Sequence, residues 1–241
     1  MEIIIAKNKE DFDRIAADIV SQQIKDKPDS VLGLATGSTP LGLYAQLVER
    51  NKKGEIDFSK VKTFNLDEYK GLAKTHPQSY YYFMFKNLFG KVNIQPENIN
   101  IPNGEVEDAE KECEEYEKKI KEAGGIDLQV LGIGHNGHIG FNEPGTPFDS
   151  ITSLIDLDKR TIEANSRFFD SIDQVPRQAL SMGIKTIMQA RKIILMISGK
   201  DKAEIAQKAI NGPITTDVPA SVLQLHPFVT VVLDEEAASL L

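Results

Sequence analysis

Six short runs, rich in β-branched residues and leucine, recur along the chain: Glu2 to Ala6, Val31 to Ala35, Lys62 to Asn65, Leu128 to Gly132, Lys192 to Ile197 and Phe228 to Leu233. Stretches long enough for a helix separate them. This alternation predicts a mostly parallel α/β sheet, because parallel neighbours need a crossover that returns the chain to the same end of the sheet. Lys9 to Ile24 carries Phe12, Ile15, Ala16, Ile19 and Val20 at the i, i+3, i+4 spacing of a helix lying on a sheet. Asp108 to Lys121 and Lys202 to Ile210 read as helices too, the second stopped by Asn211 and Gly212. Phe141 to Asp158 lacks such a period, contains Pro144 and Pro147, and is expected to be a long loop or lid, within a lid segment of approximately 141–180. No repeat or linker divides the chain, so 1–241 is read as a single domain.

With 41% hydrophobic and 27% charged residues the chain has the means to bury a sizeable core. A net charge of -8 argues against nucleic acid, which would need clustered Lys and Arg. No apolar run reaches the roughly 18 to 20 residues of a membrane span, and MEIIIAKNKEDFDR lacks the features of a signal peptide. A cytoplasmic protein without a membrane partner is expected. The single cysteine, Cys113, lies in an acidic stretch and is read as a bystander.

In an open parallel sheet, ligands bind beyond the carboxyl ends of the strands. Polar loops follow four of the runs: Thr36 to Pro40, Leu66 to Tyr69, Gly134 to His138, and Ser198 to Lys202. The first has Gly37 and the hydroxyls of Ser38 and Thr39 before a helical pattern, with Pro40 expected at the first helical position and Thr39 as its cap. Free amides at a helix start, with those hydroxyls, would suit a phosphate, although a simple tight turn and cap explains the same residues. Walker-type and GxGxxG patterns are absent. Arg167 and Lys202 are the cationic candidates for a phosphate dianion.

Asp67 and Glu68 come directly after an apolar run, where partial removal from water raises a carboxyl pKa toward that of a useful base. Asp67 is preferred, and Glu68, of opposite strand parity, is assigned to a structural partner. In GIGHNGHIGFNEPG, glycines 132, 134, 137 and 140 permit the bends that gather Asn136, His138 and Glu143. An imidazole beside a carboxylate and an amide is a positioned proton carrier. The competing use is a metal site built on His135, His138 and Glu143, but HExxH is absent, no cysteine is near and a fourth ligand is not evident, so no metal is expected. A GxSxG nucleophile is also absent.

TGSTP, FNLDEY followed by HPQSYYYFM, GHNGHIGFNEPG, ANSRFF and LQLHP, in this order, resemble the glucosamine/galactosamine-6-phosphate isomerase family, and specifically its glucosamine-6-phosphate deaminases, over almost the whole chain. The resemblance implies a Rossmann-like, mostly parallel sheet flanked by helices. It implies conversion of glucosamine 6-phosphate and water to fructose 6-phosphate and ammonia, with no cofactor and no metal. It assigns proton transfer between C2 and C1 to Asp67, ring opening to His138, support of His138 to Glu143, and phosphate binding to Gly37, Ser38, Thr39, Arg167 and Lys202. In some members Asp stands where this chain has Asn136. Members activated by N-acetylglucosamine 6-phosphate carry basic residues after FNEP, whereas Phe148 to Asp156 has none, so little activation and a monomer are expected.

Two rivals remain on the sequence. A 6-phosphogluconolactonase-like hydrolase would share the fold, but its second motif reads closer to DER than to DEY. A non-catalytic sugar-phosphate sensor would be expected to carry a DNA-binding helix-turn-helix and eroded catalytic positions, and Asp67, His138 and Glu143 are all present.

Overall fold

The computed structural model describes residues 1–166, 169 and 171–241, with the side chains of residues 160, 164 and 165 left aside. Ten strands and seven α-helices are described: β1 (Glu2–Ala6), α1 (Lys9–Asp26), β2 (Val31–Leu34), α2 (Leu41–Lys52), β3 (Lys62–Asn65), β4 (Asp67–Tyr69), α3 (Tyr80–Asn87), β5 (Ile99–Asn100), α4 (Ala109–Glu122), β6 (Leu128–Leu131), β7 (Ser153–Asp156), α5 (Lys159–Ser166), β8 (Gln178–Ser181), α6 (Ile184–Met188), β9 (Lys192–Ile197), α7 (Ala203–Asn211) and β10 (Val229–Asp234). Seven strands form one parallel sheet in the order β1-β10-β9-β6-β2-β3-β5. The other three form a small antiparallel sheet in the order β4-β8-β7.

The central strands β2, β6 and β9 are buried almost throughout because helices cover both faces. Along β9, Ile193, Leu195 and Ile197 pack with Tyr116 and Ile120 of α4 and Ile205 of α7. The alternate residues Ile194 and Met196 pack with Phe12 and Ala16 of α1 and Leu43 and Leu47 of α2. This period of two turns a continuous apolar run into two cores. Helix starts follow local chemistry: the Asn8 side chain accepts from the Asp11 N–H at 2.9 Å, and that of Asp108 from the Lys111 N–H at 3.0 Å.

Every run predicted as a strand is one, with ends shifted by at most one residue. Phe141 to Asp158 is not wholly a loop, because Ser153–Asp156 pairs with β8 as a strand. Its pattern has no visible period since it is an edge strand of a small sheet, exposed at both ends. The helix after TGSTP begins at Leu41, so Pro40 is its cap position rather than its first residue, and no side chain, Thr39 included, caps it. Among the described residues no helix is long and apolar enough to cross a membrane.

Candidate active site

From β2 the chain moves to β3 and β5 on one side, while β6, β9 and β10 lie on the other. The strand order therefore reverses between β2 and β6, and the crevice of an open α/β sheet falls at such a point. TGSTP leaves the carboxyl end of β2, GIGHNGH that of β6, SGKDK that of β9, and Asp67 follows β3. Four adjacent strands thus deliver the candidate loops to one rim.

Asp67 and Glu68 open β4, which diverges from the main sheet to pair with β8. Both are buried, at 6% and 3% exposure. Glu68 accepts backbone N–H groups from Tyr69 at 2.9 Å, Tyr80 at 3.0 Å and Tyr81 at 2.9 Å, the last two at the start of α3. Burial pushes its carboxyl up and these bonds counter only part of the rise. Its assignment to a structural partner agrees with this geometry. The Asp67 carboxylate accepts no hydrogen bond among the described residues, and its Oδ2 lies 3.7 Å from where a side chain on Gly140 would begin. Burial, with the neighbouring Glu68 charge second, pushes its carboxyl up to about 8.

The β6 loop gathers its polar residues as the glycine spacing predicts. Gly137 and Gly140 have φ of 88° and 58°, in the left-handed region that favours glycine. Gly134 is needed for another reason: a Cβ there would stand 2.3 Å from Cε1 of His138, so the imidazole lies directly on the Gly134 backbone. The Nδ2 of Asn136 donates to Oε2 of Glu143, and Oδ1 of Asn136 accepts the His138 N–H at 3.2 Å. Nδ1 of His138 is 3.4 Å from the same Oε2, close enough for an ion pair but without an aligned hydrogen bond. Burial pushes the Glu143 carboxyl up, but the adjacent His138 ring and its charge, with bonds from Thr161 and Asn136, outweigh this and hold it at about 2. Glu143 is therefore a fixed anion facing an imidazole. Thr161, on α5, gave no signal in the sequence, because a threonine in the first turn of a helix is ordinary.

In the β2 loop Gly37 has a φ of 100°, and the side chains of Ser38 and Thr39 make no hydrogen bond among the described residues. The first amides of α2 likewise have no capping side chain. Lys202, at the start of α7, donates from Nζ to the carbonyl of Ile133 at 3.0 Å, which ties it to the β6 loop. Burial lowers its pKa, partly countered by Asp201. Its two remaining protons are available to an anion. Arg167 lies outside the described residues. His135 faces Asp201 at 3.5 Å on the surface, and among the described residues no group of three or more His, Cys, Asp or Glu is placed to hold a metal ion. The histidine of LQLHP, His226, is structural: its ring meets the Ala190 carbonyl at 2.8 Å and the Phe228 N–H at 3.1 Å. Cys113 is buried on α4, and burial raises its thiol to about 11.

A buried carboxyl, unpaired among the described residues, beside a histidine–carboxylate pair, with amides and a cation at adjacent strand ends, suits proton transfer on a phosphorylated metabolite. A family model described as glucosamine-6-phosphate isomerases/6-phosphogluconolactonase matches residues 8–232. The glucosamine-6-phosphate deaminase of Thermoanaerobacter pseudethanolicus (strain ATCC 33223 / 39E) is 58% identical over 241 residues, which cover 100% of this chain and 95% of the relative. A solved structure described as a monomeric glucosamine-6-phosphate deaminase has a TM-score of 0.97 at 48% identity, covering 100% of both chains. A 6-phosphogluconolactonase from Thermotoga maritima shares the fold, with a TM-score of 0.75 at 20% identity over 97% of this chain and 98% of that one.

Proposed function

The chain belongs to the family of glucosamine-6-phosphate isomerases and 6-phosphogluconolactonases, and from that premise we propose that it is a glucosamine-6-phosphate deaminase, converting glucosamine 6-phosphate and water to fructose 6-phosphate and ammonia. The observation that carries this is Asp67: a buried carboxyl that accepts no hydrogen bond among the described residues, raised to about 8, beside the loop that holds His138 against Glu143. Conversion of an aldose to a ketose needs one such base, able to take a proton from one carbon and return it to the next. Lactone hydrolysis has no need of it.

His138 opens the pyranose by passing a proton to the ring oxygen, and the ionised Glu143 stabilises the imidazolium formed on the way. Asn136 fixes Glu143 and, through the His138 N–H, the backbone that carries the ring. Asp67 then removes the proton from C2 of the open chain to give an enolamine and delivers it to C1. The resulting C2 imine takes up water and releases ammonia, leaving the ketose. The phosphate, held by the amides of Gly37, Ser38 and Thr39, the two hydroxyls, Arg167 and Lys202, supplies binding energy remote from the reacting carbons. The reaction uses neither metal nor organic cofactor, the protein works as a cytoplasmic monomer, and N-acetylglucosamine 6-phosphate activates it little or not at all.

The test is release of ammonia and fructose 6-phosphate by purified protein with chelator present. Equal activity with and without chelator is expected. Loss of activity on chelation overturns the metal-free reading, and absence of both products overturns the deaminase reading.

A further inference from the structure

The two oxygens of Glu143 are held from different parts of the molecule. Oε2 takes the Asn136 amide and faces His138, all within the β6 loop. Oε1 accepts from Oγ1 of Thr161 at 2.5 Å, and Thr161 belongs to α5. Thr161 is buried, at 8% exposure, and the next residue, Ile162, packs with Tyr69, Phe141 and Leu157. That cluster includes the neighbours of both halves of the site, since Tyr69 is two residues from Asp67 and Phe141 two from Glu143.

We propose that Thr161 is a positioning residue for ring opening, its hydroxyl fixing the Glu143 carboxylate at the angle that serves His138. A carboxylate anchored at one oxygen alone still turns about its last side-chain bond, and Nδ1 of His138 lies 3.4 Å from Oε2. A small rotation of Glu143 swings Oε2 toward or away from Nδ1, so a second anchor on Oε1 sets their approach. The anchor comes from α5, which makes the placement of this helix a condition for productive ring opening. The inference rests on the deaminase reading.

The test is a cycle of Thr161→Val, Thr161→Ser, Glu143→Ala and the Thr161→Val, Glu143→Ala double variant in the full chain. Loss of a hydrogen bond to a charged group predicts that Thr161→Val lowers kcat about ten-fold, with KM within about two-fold of wild type because ground-state binding is untouched. Thr161→Ser restores the hydroxyl and stays within about two-fold of wild type, and adding Thr161→Val to Glu143→Ala changes kcat less than about two-fold. Wild-type turnover in Thr161→Val, a serine variant as slow as the valine variant, or the full loss persisting on the Glu143→Ala background each overturns the proposal. Thr161→Ala replaces the valine variant in the same cycle if the latter does not fold. An inactive wild-type protein overturns the deaminase reading itself, whereas an active one paired with an unaffected Thr161→Val overturns only the role of Thr161.

Discussion

Asp67 and Glu68 are consecutive buried carboxylates with opposite fates: Glu68 is held by three backbone N–H groups, and Asp67 accepts no hydrogen bond among the described residues. The pair explains the local design. Glu68 anchors the start of α3 and leaves its neighbour the unsolvated base, at the cost of a nearby like charge that raises Asp67 further.

Asp67 must lose its proton to act, so kcat/KM is expected to rise with pH through about 8. Asp67→Asn is expected to lose activity by about 100-fold or more. Stability gives an independent reading. The folded pKa of about 8 lies above the ordinary carboxyl value of 3.8, so the native state binds the proton more tightly and the wild type loses stability as pH rises from near 4 through 8. Thermal melts should show Asp67→Asn gaining on wild type across that window, with the difference levelling off above it. Parallel melting curves over the whole range would show that Asp67 is not the strained group.

Asn136 donates to Glu143 and accepts from the His138 backbone, so its geometry matters more than its neutrality. Asn136→Asp keeps the size and adds a charge that favours imidazolium. The pH–rate profile is expected to change while kcat stays within about ten-fold of wild type. A folded but inactive variant would mean that the amide donor itself is indispensable.

Gly134→Ala would place a methyl 2.3 Å from the His138 ring. The imidazole must move by an appreciable fraction of an ångström or more, and displacements of that order at a reacting group cost about 100-fold in rate. Steady-state kinetics on a variant with unchanged circular dichroism checks this. Near-wild-type kcat would show that the ring is free to move.

Lys202 combines a structural bond to Ile133 with spare donors at the rim. Lys202→Met keeps most of the length and removes the charge, and KM for glucosamine 6-phosphate is expected to rise about ten-fold or more. Unphosphorylated glucosamine, a poor substrate in either case, should show no matching change. A pure kcat effect would place Lys202 outside phosphate binding.

The sequence by itself determined six of the seven strands of the main sheet, missing only the two-residue β5, because runs this rich in apolar residues are stable only when helices cover them. It also determined the β6 loop, where glycines 134, 137 and 140 and the polar residues between them act over a few bonds. Its errors lay where partners are distant. β7 exists because it meets β8, more than twenty residues on, and α2 starts at Leu41 because the geometry of the loop places Pro40 at the cap. The tertiary structure alone decided that Asp67 is desolvated and, among the described residues, unpaired while Glu68 is satisfied, and that Thr161 reaches Glu143 from another element. Desolvation and hydrogen-bond pairing are set by what surrounds a side chain in space, and a linear pattern carries no such information until the sheet has brought its loops to one rim.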